Sequence, residues 1–195
     1  VSDGKGGIDS DTAVVKVFNP GAARNISVPI ATGPDDAQEG GGTSGKFVDL
    51  TSPDNELGND GTPADNPDKM LTGLRFANLP IPQGAEIISA RIQFKVDEGS
   101  SDAARFTIVG EAAANAAQYQ TVNGNISART PTVASVTWEP PAWNPPGVEG
   151  GAAGPGQLTP DLRTILEEIV NLPGWQKGNA AAFMFSGTGR RTAEA

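Results

Sequence analysis

The chain contains neither cysteine nor histidine. The absence of cysteine excludes disulfides, thiolate metal sites and cysteine nucleophiles. The absence of histidine removes the commonest general base, the usual catalytic triads and most zinc or copper sites. Enzymes that lack both residues rely mostly on carboxylates, lysine or tyrosine for their chemistry. The composition therefore predicts a protein that is not an enzyme.

Basic residues are scarce as well, since 14 lysines and arginines face 23 aspartates and glutamates, which gives a formal net charge of −9. An acidic surface repels phosphate, so we expect no nucleic-acid partner. No apolar run approaches the roughly 20 residues that a membrane helix needs, so we expect no membrane insertion. Carboxylates on loops suit Ca²⁺, which prefers oxygen ligands. Acidity by itself can also serve solubility alone.

Glycine and proline are abundant, at 25 and 16 residues, and they separate short apolar runs. In residues 86–96, apolar side chains alternate with polar ones, and this period of two is typical of a strand with one buried face. Further strands are predicted near 25–30, 47–50, 71–77, 104–111, 133–138 and 180–186. Residues 33–69 otherwise read as an acidic loop region. We expect a mostly β fold, a β-sandwich of jelly-roll type.

One amphipathic helix is predicted over about 160–171. Its apolar residues follow helical spacing and form one stripe: Leu162, Ile165, Leu166 and Ile169. Thr159 is a suitable N-cap, and Pro160 would occupy the first helical position. Pro173 and Gly174 would end the helix.

Residues 1–20 resemble the last hairpin of a cadherin-like or PKD-like repeat and are predicted to be the terminal strand of a preceding domain plus a linker. Residues 21–195 would form the β-sandwich module. In the N-terminal strand, Ala13, Val15 and Val17 alternate with their neighbours. A single strand cannot pair its own backbone, so it must fold back on the chain, remain unpaired or pair with another molecule. Strand addition between copies would build a filament, which makes these three residues candidate assembly residues.

A family resemblance covers about 35–194. Its boxes include Asp-Asp-Ala-Gln-Glu at 35–39, Ser-Pro-Asp-Asn-Glu-Leu at 52–57, Gly-Leu-Arg-Phe at 73–76, Val-Asp-Glu at 96–98, Asn-Ile-Ser-Ala-Arg at 125–129 and Gly-Thr-Gly-Arg-Arg-Thr-Ala-Glu at 187–194. Together they resemble a module that recurs in very large secreted and cell-surface proteins of marine bacteria. That module is similar to the DNRLRE-type carbohydrate-binding β-sandwich domains. Gln38 stands where the family pattern has an acid.

The resemblance implies an extracellular or cell-surface module that binds or supports and does not catalyse. The acidic positions of its boxes are the candidate Ca²⁺ ligands: Asp36, Glu39, Asp97 and Glu98 as the first set, Asp54 and Glu56 as the second, and Glu194. Calcium takes roughly six to eight oxygen ligands, usually including two or more carboxylates. The alternative is that these residues form turns and need no metal.

Carbohydrate-binding modules use exposed aromatic rings, so the aromatic residues are candidate ligand contacts. Trp143 lies in a proline-rich loop and is predicted to be exposed, and Tyr119 is a second candidate ring. Trp138 and Trp175 are predicted to lie in the core. Arg75, on a predicted strand, is either a buried ion-pair partner or a ligand contact.

Three functions remain open at this point. The first is a calcium-stabilised module for adhesion or for binding a polysaccharide or matrix component. The second is a filament subunit that joins copies of itself through the N-terminal strand. The third is a polysaccharide-degrading enzyme that uses two carboxylates, although no carboxylate lies in a recognisable catalytic context.

Overall fold

The computed structural model describes residues 12–19, 22–31, 33–40, 47–59, 69–143 and 153–195, with the backbone alone for 12–19, 22 and 69. These residues form twelve strands and one α-helix. The strands are β1 (Thr12–Asn19), β2 (Ala22–Pro29), β3 (Asp36–Gly40), β4 (Val48–Asp49), β5 (Asp54–Asn59), β6 (Lys69–Phe76), β7 (Glu86–Gln93), β8 (Val96–Glu98), β9 (Arg105–Glu111), β10 (Pro131–Trp138), β11 (Ala181–Thr188) and β12 (Arg191–Glu194). The helix is α1 (Arg163–Val170). The prediction of a mostly β fold with one helix is confirmed.

The strands form two antiparallel sheets. The small sheet has the order β2-β1-β7, and the large sheet has the order β10-β9-β11-β6-β5-β12-β8. Strand β3 also pairs with β6 and carries β4 on its other side. Most neighbours in the large sheet are distant in sequence, and the jelly-roll order stays a prediction.

The large sheet carries hydrophobic residues on both faces. In β11, Phe183 and Phe185 belong to the main core, whereas Ala182 and Met184 belong to a second, smaller cluster. Successive residues of a strand point to opposite faces, so the two clusters lie on opposite sides of the sheet. The main core also contains apolar residues of β7 and of α1. The second cluster includes residues 116, 119 and 126, which lie in the long connection between β9 and β10.

Helix α1 begins later than the sequence indicated. Its predicted apolar stripe is buried, but Thr159 is not the N-cap, because its hydroxyl accepts a hydrogen bond from the Ile92 amide at 2.9 Å. Asp161 accepts a hydrogen bond from the Ala90 amide at 3.0 Å in the same way. The two side chains therefore accept hydrogen bonds from backbone amides at the edge of β7, and the helix starts after them at Arg163. No helix in the described part of the chain is long and apolar enough to cross a membrane.

The N-terminal strand folds back on its own chain. β1 lies between β2 and β7 and pairs antiparallel with both. Of the three routes open to this strand, folding back is therefore the one the structure takes. The derivation of residues 1–20 from a preceding domain stays a prediction.

The acidic region 33–69 contains two strands that the sequence did not reveal, β3 and β5. All five residues of β3 are buried, although they include Asp36, Gln38 and Glu39. The strand pairs with β6 on one side and β4 on the other. A strand buried on both faces shows no alternation of apolar and polar residues. The polar composition of β3 therefore predicted a loop. Residues 60–68, which belong to the same predicted loop, lie outside the described residues.

Replacement of Thr159 by Ala should destabilise the protein by about 1–3 kcal/mol, because the buried Ile92 amide loses its acceptor. Thermal or urea unfolding measures this loss. The control is Thr164→Ala, at an exposed position of α1, which should change stability little. A loss for Thr159→Ala no larger than that of the control would contradict the role of its hydrogen bond with the Ile92 amide.

Candidate functional site

The predicted aromatic platform is wrong. All three tryptophans and the single tyrosine are buried, with exposed fractions of 4% for Trp138, 0% for Trp143, 2% for Trp175 and 2% for Tyr119. The prediction that Trp138 and Trp175 lie in the core is confirmed. The rings at 119 and 143 are core residues as well, so neither offers a face to a sugar.

Trp143 is buried because its loop is tied to the sheet. Its backbone exchanges two hydrogen bonds with Ser100, at 2.9 and 3.0 Å, and its indole nitrogen donates to the Gly156 carbonyl at 3.1 Å. Its ring packs against Phe94 and Trp138 at 6.2 Å between centroids. The buried Arg191 guanidinium donates to the carbonyls of residues 140 and 141 at 3.1 and 2.9 Å. Trp143, at the end of the described part of this loop, thus becomes part of the core.

The first set of predicted calcium ligands is divided between two distant strands. Asp36 and Glu39 lie in β3, whereas Asp97 and Glu98 lie in β8, and the sheet order places β6, β5 and β12 between them. The Glu39 carboxylate accepts hydrogen bonds from the amides of Ile126 and 127 at 2.8 and 2.9 Å. It therefore ties the β9–β10 connection to the sheet.

The second set is brought together with Glu98 and Glu194 on one face. The register pairs Asp54 with Glu194 and pairs Glu56 and Glu98 with Thr192 from its two sides. A register shift in β8 turns Glu98 to this side, as bulges commonly do. Burial and the nearby Glu98 charge raise the pKa of Asp54. We call the group Asp54, Glu56, Glu98, Glu194 and Thr192 the acidic face.

The acidic face contains an orphaned polar atom. Thr192 is fully buried, and its hydroxyl has no hydrogen-bond partner in the described part of the chain. Lys95 and Arg190 contact the carboxylates of Glu194 and Glu98 at 3.7 and 2.9 Å. No three acidic side chains among the described residues lie close enough together to form a ready metal site. Calcium binding at this face would thus require side chains to rotate toward Thr192.

Arg75 is partly buried and paired, and it does not lie at an open surface. Its guanidinium forms an ion pair with Asp35, which is 2% exposed, and donates to the Ala116 carbonyl at 2.8 Å. Of the two alternatives for this residue, the geometry matches the structural one. The pair holds the start of the β9–β10 connection against β6.

The connection between β9 and β10, residues 112–130, is long, irregular and organised around Arg129. The guanidinium pairs with Glu111 at 2.6 Å and donates to the carbonyls of Ala117, Gln118 and Asn125 at 2.9, 3.2 and 3.1 Å. It also lies 4.0 Å from the centre of the Tyr119 ring. Loops of this length without secondary structure are commonly functional. The contacts of this one side chain join residues from the middle of the connection to its end.

Tyr119 anchors the same connection to the large sheet. Its ring packs against Gly73 of β6, where an added Cβ would lie 2.6 Å from the hydroxyl oxygen. Burial raises the pKa of Tyr119, and its hydroxyl has no hydrogen-bond partner among the described residues. The residue is therefore a neutral packing element.

The same connection forms an open cleft of about 500 Å³, a volume within the range of small-ligand sites. Four amide side chains line it: Gln118, Gln120, Asn123 and Asn125. We call it the amide cleft. Val122, which is 57% exposed, adds an apolar contact surface. The Arg129–Glu111 pair forms its charged part, and both side chains are largely shielded from solvent.

Sequence reasoning missed this cleft. In the sequence, the box at 125–129 was significant only as part of the family resemblance. The amide residues show no periodicity in the sequence. No local sequence pattern shows that Arg129 donates hydrogen bonds to carbonyls elsewhere in the connection. The box was the available signal, because it contains both the organising arginine and one of the lining amides.

In comparisons with family models, curated proteins and solved structures, this chain matches none. The resemblance to secreted bacterial modules stays a prediction, and the site must be interpreted from its own geometry.

Asp36 should make stability depend on pH. Burial raises the pKa of its carboxyl from 3.8 to about 6, partly offset by a hydrogen bond with Asn55. A pKa raised in the folded state means that this group's contribution is complete below about pH 4 and is lost as pH rises through 6. Asp36→Asn should therefore stabilise the protein by up to about 3 kcal/mol at pH 8 and by much less at pH 4.

Thermal melts at the two pH values measure this difference. The control is Glu86→Gln, at an exposed carboxylate of β7, measured at the same two pH values. An equal loss of stability in Asp36→Asn at both pH values would contradict the role of desolvation.

Proposed function

We propose that this chain is a non-catalytic, extracellular binding module of a large bacterial surface or secreted protein, with a polysaccharide or matrix component as its ligand. The observation that supports this most is the amide cleft. It is open, lined with groups that hydrogen-bond to hydroxyls, and built on a loop that Arg129 and Glu39 fix to the sheet. Binding sites that are formed in advance lose little entropy when the ligand arrives.

The geometry of the carboxylates favours binding over hydrolysis. A glycosidase needs two carboxyl groups at a fixed separation across a cleft. Glu111 is the one carboxylate that lines the amide cleft among the described residues, and it is paired with Arg129. Asp35 is paired with Arg75, and Glu168 accepts hydrogen bonds from two backbone amides of β10 at 2.8 and 2.9 Å. These contacts support structural roles for the acids.

The filament alternative has less support. Both edges of β1 are already paired, with β2 and β7 of the same chain. Strand exchange would require β1 to leave β7 before a second copy could bind there. Domain swapping of this kind costs the pairing within the chain, and nothing in the described contacts favours the swapped form.

We also propose that calcium stabilises the module at the acidic face. Asp54, Glu56 and Glu98 would supply carboxylate oxygens, and the unpartnered Thr192 hydroxyl would supply a neutral one. These are the oxygen ligands that calcium prefers. A bound ion would also offset the burial and the nearby Glu98 charge, which together raise the pKa of Asp54.

Calcium at about a hundred times its dissociation constant should add about 2.7 kcal/mol of stability, if it binds only the folded protein. The measurement is the melting temperature with calcium and with chelator. The double variant Glu56→Gln/Glu98→Gln should lose this shift, and the control Glu86→Gln should keep it. A shift that survives in the double variant would place the ion elsewhere, and no shift in the original protein would remove calcium from the proposal.

The binding function itself is tested by retention on a panel of polysaccharides combined with an assay for new reducing ends. We expect retention on at least one polysaccharide without any release of sugar. Release of sugar that is abolished by Glu111→Gln would show an enzyme. Failure to be retained on any member of the panel, with the folded state checked by circular dichroism, would contradict the binding function.

A further inference from the structure

We infer that the amide cleft binds a neutral, hydroxyl-rich polysaccharide and not an acidic one, with the side chains of Gln120 and Asn123 as direct contacts. This inference rests on the proposed binding function and specifies its ligand class. It depends on the charge of the cleft, on the hydrogen-bonding capacity of its walls and on its rigidity.

The cleft holds no spare positive charge for an anionic ligand. Arg129 is the one basic residue that lines it within the described residues. A guanidinium has five N–H donors. In Arg129, Nε donates to the Asn125 carbonyl, Nη1 donates to Glu111 and to the Ala117 carbonyl, and Nη2 donates to the Gln118 carbonyl and the Asn125 amide oxygen. No donor remains for a carboxylate or sulfate.

The charge of the whole chain acts in the same direction. A formal net charge of −9 creates a field that repels a polyanion as it approaches. An acidic polysaccharide would thus meet a repulsive surface and a cleft whose arginine is already neutralised by Glu111. A neutral polymer meets neither obstacle.

The walls of the cleft match the chemistry of hydroxyl groups. Gln120 and Asn123 are exposed, and neither side chain forms a hydrogen bond within the described residues. An amide side chain both donates and accepts, as a sugar hydroxyl does, so the two can exchange hydrogen bonds in either direction. Val122, between them in sequence, offers an apolar surface to the C–H groups of a sugar ring.

The two contacts stand on a backbone that is fixed from beneath. The side-chain oxygen of Asn125 accepts a hydrogen bond from the backbone N–H of Gln120 at 3.1 Å. This bond closes the loop that carries the Gln120 and Asn123 side chains. Glu39 binds the amides of residues 126 and 127 from the sheet. Little backbone freedom is then lost on binding, so a few hydrogen bonds can give measurable affinity without an aromatic platform.

The test is affinity electrophoresis in native gels that contain a soluble neutral polysaccharide, such as galactomannan or mixed-linkage glucan, or the acidic polysaccharide alginate. We expect retardation by a neutral polymer and none by alginate. Gln120→Ala and Asn123→Ala should each weaken binding about five-fold, as expected for the loss of one hydrogen bond. Gln176→Ala, which removes an exposed amide outside the cleft, should bind like the original protein.

Four results would overturn the inference. Binding of a neutral polymer that is unchanged in both cleft variants would place the site elsewhere. Binding to alginate alone would refute the ligand class. Either result would leave the proposed binding function standing. Equal weakening by Gln176→Ala would show that the cleft has no special role. Absence of retardation by every polymer would overturn this inference together with the proposed function. Melting temperatures of the variants confirm that each is folded.

Discussion

The guanidinium of Arg129, which is largely shielded from solvent, organises the middle of the long β9–β10 connection. Arg129 replaces the hydrogen bonds that a helix or sheet would have supplied to residues 117, 118 and 125, since their carbonyls point to its guanidinium. A buried guanidinium is costly unless its charge is paired, and Glu111 supplies that pairing. The second hydrophobic cluster and the amide cleft both depend on this arrangement, because Tyr119 and Ile126 belong to the same connection.

A buried carboxylate of the sheet also holds this connection. Glu39 carries a carboxylate into a strand whose residues are all buried, and the cost is offset by two backbone amides from residues 126 and 127. Hydrogen bonds to a charged acceptor are among the stronger ones in proteins. Asp36, three residues earlier in the same strand, has its carboxyl pKa raised by burial. Acidic density in this chain thus serves architecture as well as solubility.

The sequence predicted those elements whose pattern is local. The strands β7 and β9 alternate in the sequence, β11 begins with a short continuous apolar run, and the stripe of α1 has helical spacing, so their existence could be read directly. β3, β5 and β12 could not, because their neighbours in the sheet are distant in sequence and polar residues fill them. Trp143 was misjudged for a related reason. Its burial depends on Ser100 and Arg191, and no local rule connects a proline-rich loop with residues so far away.

The burial of every tryptophan and of the tyrosine changes how a binding role must work in this fold. Stacking on an aromatic ring gives a sugar-binding site much of its affinity, whereas individual hydrogen bonds in water contribute only about 1 kcal/mol each. A cleft of amides alone would therefore bind with modest affinity, and in the proposed role repetition would strengthen the attachment. Several copies on one large surface protein would raise the effective concentration at a polymer, so that modest sites could together give firm attachment.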